Sequence, residues 1–359
     1  MEELVHMMVD RGASDLHLIV GTPPQLRIDG KLIPLEEEEK LLPDTCQKII
    51  YSVLNDEQKK RFESSGELDL SFGIKGIGRI RMNVFRQRGT VGAALRSIPS
   101  QPQSFEELGI PKVVYSIVDL PQGLVLVTGP TGSGKTTTLS AMIDYINTNK
   151  GVHIITIEDP IEFLHRHKSS IVAQREVGSD TSSFKEALKY VLRQDPDVIL
   201  IGEMRDLETI NAALVIAETG HLVFATLHTP DAVQSINRII DVFPPYQQPQ
   251  VRSQLSFVLQ GVFCQRLLPR KEGKGRVLAC EVLISTPAVR ALIREEKAYQ
   301  LYTAMQAGRA LGMQTMNMSL ANLVLRGLVT QEVAMEHSPD PKDLKVLLER
   351  SLGKVAKTG

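Results

Sequence analysis

The sequence predicts an α/β fold, with a smaller α+β domain ahead of it and a helical region behind. Three observations carry that prediction. Four short runs, LVLV at 124–127, IITI at 154–157, VILI at 198–201 and LVFAT at 222–226, are apolar on both faces, as strands of a covered parallel sheet are. Helical patterns lie between these runs. A glycine-rich string, GPTGSGKTTT at 129–138, begins one residue past the strand-like GLVLVT.

The 359 residues suit two or three domains. Residues 1–98 read as the α+β domain. SDLHLIV at 14–20 alternates like a strand, and an Asp29–Gly30 turn separates two further short strands. Residues 41–63 are helical in period, and 67–99 suggest strands joined by tight glycine turns. The proline-rich, polar stretch 99–111 is the linker. The α/β core spans 112–285 and opens with a helix at 112–119. Its helix at 182–193 carries Phe184, Ala187, Leu188, Val191 and Leu192 on one face, and Ser183 with Glu186 forms a capping box. From Thr286, a cap followed by Pro287, the chain is helical to 359, with amphipathic stretches at about 315–326 and 342–350.

Composition excludes several classes. Acidic and basic residues number 42 and 41, a balance that gives no reason to expect a nucleic-acid partner. Cys46, Cys264 and Cys280 form no C-x-x-C pair, which argues against a disulfide framework and a thiolate zinc site. The start MEELVHMMVDRG lacks the apolar core of a signal peptide. No run reaches the roughly 18 apolar residues of a membrane span. The chain reads as cytoplasmic, with any membrane contact made through a partner.

The glycine-rich string fits G-x-x-x-x-G-K-[ST] as Gly129, Pro130, Thr131, Gly132, Ser133, Gly134, Lys135 and Thr136, with Thr137 following. Such a loop surrounds phosphates with backbone N–H groups and the next helix N-terminus. Lys135 supplies charge at the β/γ oxygens of ATP, and Thr136 a hydroxyl for Mg²⁺. The ligand is expected at the carboxyl ends of the strands. There, the second run delivers Glu158, Asp159 and Glu162, and the third Glu203 and Arg205 behind Gly202, where a magnesium-associated aspartate often stands. Glu203 is the candidate to polarise the attacking water, or else caps the following helix. Metal contact is expected to run through water to Glu158, Asp159 or Glu162. His221 and His228 flank the fourth run as γ-phosphate sensors or structural histidines. Arg79, Arg81, Arg86, Arg88 and Arg96 crowd the first domain. They are either solvated edge residues or the guanidinium that such motors often take from a neighbouring subunit.

Four signatures in order resemble those of the type II/IV secretion ATPase superfamily, and within it the pilus retraction ATPases. They are GPTGSGKTTT, ITIEDPIE at 155–162, LRQDPDVILIGEMRD at 192–206 and ETGHLVFATLHT at 218–229. ASDLHL at 13–18 and GRIRMN at 78–83 match the family's N-terminal domain. The resemblance implies a RecA-like core, a PAS-like first domain and a C-terminal region that belongs to the ATPase domain. It assigns Lys135 and Thr136 to phosphate and magnesium, and Glu203 to catalysis. Glu162 stands near the metal water, His221 and His228 form the histidine box, and Arg81 and Arg96 reach the nucleotide. It further implies a homo-hexamer that acts in pilus retraction and twitching motility, on an inner-membrane platform protein at the cytoplasmic face. The zinc element of the extension ATPases has no counterpart here, and AVRALIRE at 288–295 is close to a retraction-type motif. Val289, Leu292 and Ile293 make its apolar face, with Arg290 and Arg294 expected to face outward. Pro230 departs from the family's histidine box and leaves open whether this is the principal retraction motor or a paralogue. A nucleic-acid translocase on the same core would need a basic stripe with stacking aromatics, and a small-molecule kinase an acceptor pocket with its own base.

Overall fold

The computed structural model of the chain describes residues 1–28, 30–74, 77–98 and 102–355, with side chains to residue 350. Asp29 of the expected turn, residues 99–101 of the expected linker and the last four of the tail lie outside the described residues. Two compact units are present, Met1–Gln101 with Glu162–Leu164, and Pro102–Ile161 with His165–Gly359.

The first unit contains α1 (Glu2–Asp10), β1 (Asp15–Leu18), β2 (Gln25–Ile28), β3 (Lys31–Pro34), α2 (Pro43–Tyr51), α3 (Asp56–Ser65), β4 (Glu67–Ile74), β5 (Gly78–Gln87) and β6 (Thr90–Ile98). The strands form one antiparallel sheet in the order β3-β2-β1-β6-β5-β4. Alternation along β5 buries Ile80, Met82 and Val84 against Phe62, Ile50 and Met8 of the helices, which leaves Arg79, Arg81 and Asn83 on the other face. The helical stretch read at 41–63 is two helices. Asn55 divides them, because its side chain accepts from Gln58 N at 2.8 Å while Gln58 Oε1 accepts from Asn55 N at 3.0 Å, a reciprocal cap that starts α3.

The second unit opens with α4 (Phe105–Leu108), α5 (Val114–Val118), β7 (Gly123–Thr128), α6 (Lys135–Asn149), β8 (His153–Glu158), β9 (Ile171–Glu176) and α7 (Phe184–Val191). It continues through β10 (Val198–Ile201), α8 (Leu207–Glu218), β11 (Leu222–Leu227), α9 (Ala232–Asp241), α10 (Gln248–Val258), β12 (Leu259–Pro269) and β13 (Arg276–Ile284). The C-terminal helices are α11 (Pro287–Arg294), α12 (Leu301–Ala307), α13 (Met316–Leu325), α14 (Gln331–Glu336) and α15 (Pro341–Val355). Its sheet runs β13-β12-β7-β11-β10-β8-β9, parallel throughout except for the β12–β13 pair.

The four apolar runs are the neighbouring strands β7, β11, β10 and β8, and period-two alternation explains why they are apolar on both faces. Leu124, Leu126, Ile199, Ile201, Val223 and Ala225 pack against α7 to α10 on one side. Val125, Val127, Val198, Leu200, Leu222 and Phe224 pack against α5 and α6 on the other. Three strands, β9, β12 and β13, were not assigned from sequence. β12 follows α10 with no intervening residue, so no glycine or proline marks the change of period. α7 is shorter than the expected 182–193, and its box is one-sided, Ser183 Oγ accepting from Glu186 N at 3.1 Å. Thr286 caps α11 as expected, accepting from Val289 N at 3.3 Å.

The helix α6, which follows the phosphate loop, is clamped at its far end. Fully buried Asn147 donates to Arg166 O at 2.7 Å and accepts from Lys168 N at 3.2 Å. Beside it His165 sits with Nε2 3.4 Å from Ser140 Oγ. Burial pushes the His165 imidazole down to about 4, against the pull of Asp144. Between that value and the ordinary 6.5 the unfolded chain holds a proton that the folded chain does not. Stability therefore rises with pH across this window and is lost as pH falls through it. His165→Leu, which has no such proton, is expected to show a shallower fall in Tm from pH 6.5 towards 4 than the parent chain. Parallel Tm curves in a thermal-melt series would contradict this.

Candidate active site

At the carboxyl end of β7 the chain turns through Gly129, whose φ is 139°. A Cβ there would press on the Gln265 carbonyl oxygen of β12 and stand 2.7 Å from Ser133 Oγ. Only glycine fits. Gly134, at φ 87°, is the N-cap of α6 and brings no side-chain cap, so the first-turn N–H groups of the helix are left for an anion. Lys135 Nζ donates to the Gly129 and Pro130 carbonyls at 2.8 and 3.1 Å, which holds the ammonium over the loop. Thr131 and Gly132 are exposed at its tip, Ser133 is buried beneath it, and Thr136 and Thr137 are half-buried in the first turn of α6. Gln265, completely buried, donates to Thr138 Oγ1 at 2.7 Å. It braces the loop from a strand that the sequence reading left unassigned. The available signal was one uncharged polar residue inside the apolar run VFCQRLL.

Strand register places the next groups level with this loop. Thr128 of β7 pairs with Leu227 of β11, and Ala225 with Ile201 of β10, so Glu203 and His228 emerge at the same end of the sheet as Gly129. Glu203 accepts two bonds from Arg205, Nε to Oε1 and Nη2 to Oε2, both 2.7 Å, and His228 Nε2 lies 3.0 Å from Oε1. Burial pushes the Glu203 carboxyl up, but the Arg205 bond and the His228 charge outweigh it and hold the group below the ordinary carboxylate range. It is an anion at neutral pH. Glu203 is not a helix cap. Asp206 caps α8, accepting from Thr209 N at 2.8 Å. Gly202 has its own reason, because a Cβ there would fall 3.2 Å from both Glu158 Cα and Ile157 O of β8.

Glu158 ends β8 and is 6% exposed, accepting from Thr156 Oγ1 at 2.6 Å and Gln174 Nε2 at 3.2 Å. Asp159 and Glu162 are exposed, and Glu162 falls in the first unit. No three or more His, Cys, Asp or Glu among the described residues are grouped to hold a metal by themselves.

His221 is a correction. It precedes the first residue of β11, whereas the loop and His228 follow the last residues of β7 and β11. At about 3.3 Å per residue the strand separates the two histidines by roughly 17 Å or more. His221 Nδ1 instead lies 3.1 Å from Ile216 O and 3.2 Å from Thr219 Oγ1, where the ring ties the last turn of α8 to the strand. It does not reach the phosphate loop of its own chain. A cavity of about 270 Å³ beside the loop is lined by Pro130–Ser133, His228, Pro230, Arg266, Leu267 and His337.

Within the first unit, Arg81 and Arg96 stand directly opposite on β5 and β6. Such a like-charge pair is unfavourable unless compensated. Asp15 compensates it, 2.7 Å from Arg96. Burial raises the Asp15 carboxyl, and the Ser14 and Arg96 bonds more than reverse that. Of the two outward cations expected on AVRALIRE, Arg294 is exposed and Arg290 is half-buried. Arg290 Nη1 donates to Phe257 O at 2.9 Å, and Arg294 sits 5.9 Å over the Phe257 ring, so both fasten α11 to the end of α10.

The type II/IV secretion system protein family matches residues 1–356. This chain belongs to that family. It is 52% identical to the type IV pilus retraction ATPase PilT of Pseudomonas aeruginosa, over 95% of this chain and 98% of that one. It is 41% identical to the type IV pilus ATPase PilU of the same organism, over 97% and 91%. The crystal structure of the pilus retraction motor PilT with bound ADP superposes at a TM-score of 0.91 and 54% identity, covering 96% and 98%. The chain is accordingly an ATPase with the α/β fold expected of this family.

Two substitutions test the site. Glu203→Gln keeps the shape and removes the charge, so nucleotide affinity is expected to persist while hydrolysis falls about 10²- to 10⁴-fold. Phosphate release and fluorescent-nucleotide titration measure the two, and near-normal turnover would move the role elsewhere. Gly129→Ala is expected to abolish nucleotide binding with circular dichroism unchanged. Unchanged nucleotide affinity would show that the approach to Gln265 is dispensable.

Proposed function

We propose that this ATPase works as a ring hexamer, hydrolysing ATP with Mg²⁺ to retract type IV pili and drive twitching motility. Its place is the cytoplasmic face of the inner membrane, docked on the pilus platform protein. The observation that carries the chemistry is the common level of Lys135, Glu203 and His228 at one end of the sheet. Among the described residues no helix is long and apolar enough to cross a membrane, which supports attachment through a partner.

Lys135 turns from its own loop carbonyls to the β/γ oxygens, and the first turn of α6 donates its N–H groups to the phosphates. Thr136, with Glu158, Asp159 and Glu162, would hold Mg²⁺, which would supply charge to balance the phosphates. Glu203 accepts the proton of the attacking water. Arg205 must first leave it, and this is inexpensive, because an ion pair whose arginine side chain is 76% exposed is worth about 1 kcal/mol or less. His228 then holds the carboxylate or bonds the γ-phosphate. Arg81 and Arg96 supply guanidinium charge from the neighbouring chain, and His221 acts through the packing of α8 rather than on the nucleotide of its own chain. The higher identity to PilT than to PilU supports a principal retraction motor over an accessory paralogue. Balanced composition, and hydrolysis insensitive to single-stranded DNA, would set aside a translocase.

Shared sites make a direct prediction. Lys135→Ala chains and Arg81→Ala chains are each expected to be inactive alone, yet mixtures recover hydrolysis at interfaces that pair an intact loop with an intact arginine. Arg96 is left in place because it also neutralises Asp15. No recovery in mixtures shown to co-assemble would contradict supply of Arg81 by a neighbour.

A further inference from the structure

Glu281 lies in the middle of β13 and is 3% exposed, opposite Cys264 of β12. A carboxyl so placed needs partners, and it has one for each oxygen. Oε1 accepts from Ala232 N at 2.9 Å, and Oε2 accepts from Met316 N at 3.3 Å. Ala232 and Met316 are the first residues of α9 and α13. Each helix already has its own N-cap, Asp231 accepting from Gln234 N and Thr315 from Met318 N. Those caps satisfy third-position donors, and Glu281 takes the first-position donor of both helices at once. The positive ends of two helix dipoles thus share one buried carboxyl.

The two helices belong to different parts of the unit. α9 begins four residues after His228, the residue that contacts Glu203. Its start is also tied to the strand beneath the phosphate loop, since Ser235 Oγ bonds Thr229 Oγ1 at 2.6 Å and Thr128 Oγ1 at 3.4 Å. α13 is the centre of the C-terminal helical cluster, where Met316, Leu320 and Leu323 pack with Leu344 and Leu348 of α15. A backbone bridge between Val282 and Gln314 sets the entry to α13, and Ser319 Oγ accepts from Cys280 N at 3.0 Å.

We propose that Glu281 is a positioning residue that couples the nucleotide state of the Glu203–His228 segment to the start of α13. Any shift of residues 228–231 drags the first turn of α9, and the carboxyl cannot follow it without loosening its bond to Met316. The inference rests on the assignment of the nucleotide site to this end of the sheet, so nucleotide affinity is measured alongside. Glu281→Gln is the informative variant. Its amide has the same shape but only one accepting oxygen, so it turns an N–H₂ towards one of the two helices.

The measurement is amide hydrogen exchange of residues 316–319 in the full chain, with and without a non-hydrolysable ATP analogue and Mg²⁺, beside titration with a fluorescent form of that analogue. In the parent chain the analogue is expected to change exchange of this turn by about tenfold, the scale of one hydrogen bond. In Glu281→Gln that response falls to about twofold or less, while the analogue still binds within a few-fold of the parent affinity. An undiminished response in Glu281→Gln would overturn the proposal. So would an analogue-bound parent chain whose 316–319 exchange does not respond, a result that decides the matter even if the variant fails to fold. Failure of the parent chain to bind the analogue would instead refute the nucleotide site on which the coupling depends.

Discussion

The register of three parallel strands governs this molecule. β7, β11 and β10 pair so that Thr128 meets Leu227 and Ala225 meets Ile201. From that alignment Gly129, His228 and Glu203 leave the sheet at one level. A slip of one residue in any of the strands would turn its apolar side chains to the opposite helical layer. Both layers are packed with buried apolar side chains, so the packing that stabilises the sheet also fixes where these three residues leave it. The fold and the active-site geometry are one constraint.

Close backbone approach adds the second level of definition. Gly129 and Gly202 are both pressed by neighbouring strands, the first by β12 and the second by β8. At 202, where an aspartate often stands, a side chain would press on the β8 backbone at 3.2 Å. In the proposed mechanism the acids at this level are Glu158 on the adjoining strand and Glu203 one residue on. Arg205 and His228 hold the Glu203 carboxyl below the ordinary carboxylate range, and the Arg205 side chain is 76% exposed.

Much of this was legible in sequence because the relevant signals are local. A covered strand is apolar on both faces over four residues, and the phosphate loop is contiguous, so β7, β8, β10, β11 and Lys135 could be placed directly. What was not legible depends on contacts distant in sequence. β12 and β13 were missed because α10 runs into β12 without a turn, and with them went Gln265 beneath the loop and Glu281 between two helices. His221 and His228 look equivalent flanking a strand, and only the direction of the sheet shows that one lies at the phosphate end and the other at the far end. Arg290 and Arg294 read as outward-facing cations, and only the fold shows the carbonyl and ring of Phe257 lying against them.

In the proposed reaction Glu203 acts on water at the carboxyl end of the sheet while a guanidinium from a second chain completes the charge balance. An experimental structure of the assembled Glu203→Gln protein with ATP and Mg²⁺ is the decisive test. An ordered water is expected between the residue-203 side chain and the γ-phosphate, with Arg81 of a neighbouring chain at the phosphate oxygens. A water held by Glu162 instead, or an Arg81 contributed by the same chain that supplies Lys135, would contradict it.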